Sequence, residues 1–238
     1  MCSMSAAWTI CAAGISLLSA NAPVSMQEAP PKPPVVEKIG KDQIRIGQIM
    51  VDTAKREISV QGTVNDVTVL EFVANTLGGL KAYESAVTLN TDGVTFNAAL
   101  LLIGLDRANA RVPTRHFDPE QPAGDPVELW IEWEGADKRP QRVRAEQLIF
   151  DRTTNETMAE GPWVYTGSSF HPDGRYVADA DGVLIGFVHS PAPVIEHQRG
   201  AGIDRYGSII LNPKLGLKGG TPITLRVKSL KPPSSPGR

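Results

Sequence analysis

An α+β, β-rich fold, mainly antiparallel strands and hairpins around one buried core helix, is predicted by three features of the sequence. Short alternating or β-branched runs recur along most of the chain, each bounded by Gly, Asp, Asn or Pro. One segment, residues 94–105, joins high helix propensity to apolar character on nearly every side. The strand–helix–strand rhythm of a doubly wound parallel sheet is missing.

Ile44, Ile46, Ile49 and Val51 open the first strand, and Glu57-Ile58-Ser59-Val60-Gln61 alternates before Gly62. Residues 67–75 are β-branched and aromatic, and Leu77-Gly78-Gly79 supplies the positive φ that a reversal needs. Residues 81–89 then return, which predicts a hairpin. Asn90-Thr91-Asp92 offers capping side chains to the helix over 94–105, whose apolar sides call for burial on most faces. Residues 107–126 read as an irregular loop. Strands resume at 127–133 and 141–150, around the turn Gly135-Ala136-Asp137-Lys138. Shorter strands follow at 163–166, 176–178 and 183–188. Residues 195–206, Gly-rich and charged, read as a mobile loop, and strands at 209–211 and 223–227 complete the set.

The two ends carry a different signal. Residues 6–18 form an apolar run too short for a bilayer, which needs ~20 residues. Ala20-Asn21-Ala22 follows, a small-x-small cleavage pattern, so residues 1–22 read as a signal peptide. No Lys or Arg precedes the run, and a disordered apolar leader on a cytoplasmic protein is the competing reading. Both cysteines, Cys2 and Cys11, lie in this head, so cleavage leaves 216 thiol-free residues. Such a product has no disulfide, thiolate metal site or cysteine nucleophile. Residues 23–42 are Pro-rich and read as a linker, residues 43–231 as a single domain, and residues 232–238 as a disordered tail. A net charge of −2 with pI ≈ 6.1 gives no electrostatic case for nucleic acid. No segment after the head is long and apolar enough for a membrane helix.

The order Leu70-Glu71-Phe72, Gly78-Gly79-Leu80-Lys81-Ala82-Tyr83-Glu84-Ser85 and Ala98-Ala99-Leu100-Leu101-Leu102-Ile103-Gly104-Leu105 resembles the YdjY-domain family. Arg144-Ala145-Glu146, Trp163-Val164-Tyr165-Thr166-Gly167-Ser168, Ala178-Asp179 and Gly182 continue it, so that most of residues 43–188 is covered. The resemblance implies an exported bacterial protein of no assigned activity. Some relatives are described as ferredoxin-type, which implies an iron–sulfur cluster that a thiol-free chain cannot hold. Tyr83 stands where the family has histidine, so a metal or proton-transfer contact of relatives is missing here.

Two groups of residues are candidate binding sites. Lys81, Tyr83, Glu84 and Ser85 follow the glycine turn; strand alternation puts Lys81 and Tyr83 on one face and Glu84 on the other. They form a polar site, or Glu84 and Ser85 satisfy nearby backbone groups. Trp163, Gly167 and Ser168 form a ligand shelf, or Trp163 is core. Arg144 and Glu146 are placed to pair. His116-Phe117-Asp118 and His171-Pro172-Asp173 repeat an H-x-D pattern that would need convergence to hold a metal. Asp179-Ala180-Asp181-Gly182 reads as an Asp-Gly turn, because an EF-hand register puts valines at both outer ligand positions. No nucleophile elbow, zincin motif, P-loop or dinucleotide fingerprint occurs.

The expectation is therefore an exported, non-catalytic module that binds or scaffolds an envelope protein or polymer and needs no cofactor. The rival is a hydrolase or metal-dependent enzyme with its site dispersed over loops, and a redox partner with a non-cysteine cofactor is the third reading.

Overall fold

The structure, a computed structural model, describes residues 34–232. The expected signal peptide and the last six residues of the expected tail lie outside the described residues. The strands are β1 (Val36–Lys38), β2 (Gln43–Ile46), β3 (Ile49–Asp52), β4 (Glu57–Val64), β5 (Phe72–Thr76) and β6 (Ser85–Leu89). After helix α1 (Gly93–Leu102) come β7 (Asp125–Glu134), β8 (Pro140–Arg144), β9 (Ile149–Asp151), β10 (Glu156–Thr157) and β11 (Trp163–Tyr165). Helix α2 (Val177–Asp181) precedes β12 (Val183–Gly186), β13 (Ile195–His197), β14 (Ile209–Leu211) and β15 (Pro222–Ser229).

Eight strands close on themselves in the order β4-β15-β7-β11-β13-β12-β5-β6, with β6 pairing back onto β4. Two pairings, β12 with β13 and β5 with β6, are parallel. The result is a closed mixed barrel rather than a set of antiparallel hairpins. Closure removes the exposed edges that an open sheet would have to protect. β1, β2 and β3 extend the sheet from β4, β8 extends it from β7, and β9, β10 and β14 form a separate three-stranded sheet.

Register places the barrel lining. Leu225 and Val227 of β15 face Val60 and Ile58 of β4 on one side, and Ile131 and Leu129 of β7 on the other. Val127 pairs with Trp163, and Tyr165 pairs with Ile195. All these side chains are buried, while the alternate residues of β4 and β15 lean outward into solvent. The period of two thus assigns one face to the core and the other to water.

Five local expectations are corrected. Residues 67–89 do not form a hairpin, because a 3-10 turn at Ala82–Glu84 redirects the chain after the glycines and β6 enters parallel to β5. Gly78 does adopt φ +75. Gly79 serves another purpose: a Cβ there would lie 2.7 Å from the Gly182 carbonyl oxygen, so glycine permits two loops to touch. The first expected strand is two, β2 and β3, folded at Gly47 with φ +56. β1 falls within the expected linker and pairs with β2. Residues 176–178, expected as a strand, instead begin helix α2, which Gly182 closes at φ 70. Residues 195–197, expected as mobile loop, are the buried strand β13, hydrogen-bonded on both sides within the barrel wall.

Helix α1 forms as expected, capped by Asp92, whose side chain accepts from the Thr95 N–H at 2.7 Å. It buries Phe96, Ala99 and Leu100 against the core, but Val94, Leu101 and Leu102 are exposed. The expected burial on most faces does not occur.

Candidate functional site

Parallel pairing of β5 and β6 determines which side chains meet at their N-terminal ends. The Glu71 N–H donates to the Glu84 carbonyl at 2.9 Å, so two acidic residues, one just before β5 and one at the end of the 3-10 turn before β6, become neighbours. Strand alternation alone would have pointed Lys81 away from Glu84. In the 3-10 turn, residues three apart eclipse one another, and Lys81 Nζ lies 2.6 Å from Glu84 Oε1. Lys81 also donates to the Tyr83 hydroxyl at 3.2 Å. His116, arriving from the long loop before β7, brings Nε2 to 3.4 Å from Glu71 Oε2. Ser85 turns inward, where its hydroxyl donates to the Lys81 carbonyl at 2.8 Å and holds the turn.

Electrostatics in this cluster follow from burial and crowding. The Glu71 side chain is only 6% exposed. Burial first, then the adjacent Glu84 charge, push its carboxyl up to about 7, with Lys81 opposing. Burial works against the Lys81 charge, but contact with Glu84 and Tyr83 outweighs it and raises the ammonium above its ordinary value. His116 is held below its ordinary value, by burial and then by the Lys81 charge. Near neutral pH the site thus has a carboxyl that can give or take a proton, beside a fixed Lys81–Glu84 pair. Leu77, Leu80 and Tyr83, on the same crossover, are exposed by 67%, 75% and 64%.

The other predicted group goes to a different environment. Trp163 is fully buried in the barrel, its ring edge-on to His197 with centroids 4.9 Å apart. Gly167 and Ser168 both have positive φ, 71° and 59°. That turn is held by the backbone: Arg107 Nη2 donates to the Ser168 carbonyl at 2.7 Å, and the Ser168 hydroxyl donates to the Ala192 carbonyl at 2.7 Å. Its partners are structural, and none belongs to the Lys81 cluster.

The H-x-D pairs separate as well. Asp118 accepts from the Thr114 and Glu120 N–H groups of its own loop, which draw its carboxyl down to about 2. Asp173 pairs with Arg175 at 2.8 Å. The Asp179 side chain accepts from the Gly93 N–H at 2.5 Å and so helps to start α1. Among the described residues, no three His, Cys, Asp or Glu side chains converge to hold a metal ion. Arg144 does pair with Glu146, at 2.9 Å, and with Glu128 at 2.6 Å, within a compensated charged face. No helix among the described residues is long and apolar enough to cross a membrane.

Glu71 and His116 complete a site that sequence reasoning only half describes. Glu71 is an acid inside an otherwise apolar strand-like run, and that anomaly was a visible signal of it beside its place in the motif Leu70-Glu71-Phe72. The partner of His116 is forty-five positions away in sequence and is set by tertiary structure alone.

No curated protein and no solved structure matches the chain. The YdjY-domain model matches residues 49–199, a span holding all of Glu71, Lys81, Tyr83, Glu84 and His116. That span is more than half of the 238 residues, and the chain belongs to the YdjY-domain family.

Proposed function

We propose that the protein is an exported, non-catalytic module that binds or scaffolds an envelope protein through the crossover between β5 and β6. The observation that carries this reading is the makeup of that edge. Exposed Leu77, Leu80 and Tyr83 accompany the Lys81–Glu84 pair. Apolar side chains beside partly desolvated charge are characteristic of protein-binding hot spots, where water exclusion strengthens the polar contacts. Export is supported by the apolar head and its Ala20-Asn21-Ala22 site.

Fractionation of cells producing the full chain should recover it in the envelope, at the mass left by cleavage after Ala22. Affinity capture with Leu80→Asp should lose a partner that the unaltered chain retains. A full-length cytosolic protein that retains no specific partner would sink the reading.

One observation favours a second reading, a hydrolase with a loop-borne site. A carboxyl held near 7 is well placed for general acid–base work at neutral pH. Glu71→Gln separates the two: an enzyme loses turnover by about a hundredfold or more, while a binding module keeps its partner.

A further inference from the structure

Beside the barrel, the three-stranded sheet β10-β9-β14 and the loop joining β13 to β14 surround a cavity of about 400 Å³. That volume falls within the ~300–1,000 Å³ of small-ligand sites. Register decides which side chains of the sheet look into it. Asp151 of β9 pairs with Glu156 of β10 on one side and with Ile209 of β14 on the other. Residues directly opposite across strands share a face, so all three line the cavity, with Ile149 two positions before Asp151. Phe150, between them, takes the other face, where Lys214 Nζ lies 4.9 Å from its ring centre. The far wall comes from the barrel. Phe187 is buried there, and the Ala201 N–H donates to its carbonyl at 2.7 Å. The Gly200 N–H donates to His197 Nδ1 at 3.1 Å, so the loop starts fastened to the barrel.

The lining has an apolar end and an acidic end. Ile149, Met158, Phe187 and Ile209 make the first. At the second, three carboxylates, Asp151, Glu156 and Asp204, face a single guanidinium, that of Arg205. Arg205 is already engaged by two of them: it contacts the Asp151 carboxylate and lies 3.5 Å from that of Asp204. Glu156 has no ion pair among the described residues, yet it stands directly across from Asp151, whose side chain is only 8% exposed. Like charges opposite one another destabilise a strand pair. Arg152, next along the chain, is not part of the lining and donates instead to the Gly207 carbonyl at 2.7 Å. An uncompensated acidic pair at the edge of an apolar cavity calls for a cation and turns an anion away. The three carboxylates do not converge as metal ligands would, so the cation is an organic one. An ammonium, with three donors at a point, suits two carboxylates that face each other.

We infer that this cavity binds a primary amine with an apolar body, its ammonium between Asp151 and Glu156 and its hydrocarbon against Ile149, Phe187 and Ile209. The site is separate from the β5–β6 crossover and does not depend on the function proposed there.

Calorimetric titration of the full chain with phenethylamine tests it, with phenethyl alcohol as the uncharged counterpart and phenylacetate as the anion. Phenethylamine should bind at millimolar concentration, more tightly than the other two, and more weakly as salt is added. Glu156→Gln, a change at an exposed position, should weaken it by about tenfold or more. The same substitution should raise the urea midpoint of the ligand-free chain, because the like-charge pair is gone. Gln61→Ala, on the outward face of β4, should leave the titration unchanged. N-acetyl-lysine methylamide separates two sources of the same chemistry: tighter binding than phenethylamine assigns the site to a lysine side chain of a partner, weaker binding to a free amine. Absence of binding by both amines, equal binding of phenethyl alcohol, a titration indifferent to Glu156→Gln, or a lowered midpoint would overturn the inference.

Discussion

Glu71 and His197 are both disfavoured as ions by burial, yet they tilt the pH dependence of stability in opposite directions. Glu71 titrates near 7 in the fold and near its ordinary 4.5 when unfolded. Between those values the unfolded chain has lost the proton and the folded one keeps it, so stability falls as pH rises and is flat above about 7. The full effect is up to about 3 kcal/mol. Glu71→Gln should thus match the unaltered protein near pH 4 and exceed it by about 1–3 kcal/mol at pH 8 in urea unfolding. His197 is held at about 4, by burial, against an ordinary 6.5. There the unfolded chain binds the extra proton, so stability rises with pH across that window and is lost below it. His197→Gln should flatten this rise whatever its overall cost. Glu196, fully buried and also raised by burial, adds to the Glu71 slope. If the Glu71→Gln and unaltered profiles ran parallel from pH 4 to 8, Glu71 would not be the perturbed group.

Among the elements, α1 and the β4–β6 seam make separate demands on sequence. Asp92 bonds the Thr95 N–H through one carboxylate oxygen and the Thr95 hydroxyl through the other, at 2.7 and 2.8 Å. Asp92→Ala should cost about 1 kcal/mol, read from the unfolding midpoint. Gly62 is less forgiving. A Cβ there would lie 2.3 Å from the Thr88 carbonyl oxygen, in the backbone of the strand that closes the barrel. Gly62→Ala should destabilise by about 1–3 kcal/mol, more than any solvent-facing substitution on β4, such as Gln61→Ala. The opposite wall of the barrel, where β13 lies between β11 and β12, shows why parts of the fold were unreadable. β13 contributes Ile195, Glu196 and His197, all buried, but two of the three are polar, so no hydrophobic period marks a strand. α2 has five residues, and nothing in so short a stretch separates a helical turn from a strand.

At the scale of the molecule, the segment beyond the family match proves necessary to the architecture. The match ends at residue 199, whereas β15, residues 222–229, pairs with both β4 and β7 and closes the barrel between them. Without it those two strands would expose hydrogen-bonding edges and the buried faces of Leu225 and Val227 would be missing. A chain ending at Gly220 should give no cooperative unfolding transition by circular dichroism, and retention of a sharp transition would show that closure is dispensable. Pairing β4 with β15 joins residues more than 150 positions apart, so loop-closure entropy must be met before the contact forms, and slow refolding is expected.

Alternation and turn chemistry by themselves determined the β-rich character, the presence and N-cap of α1, the core assignment open to Trp163, and the Arg144–Glu146 pair. They act over a few residues, and a few residues were enough. Tertiary structure alone decided that β5 and β6 run parallel, that Glu71 and His116 join Lys81 and Glu84, and that β15 seals the barrel. Each of those depends on strand register between distant segments, which the burial of a common face selects and no local pattern encodes.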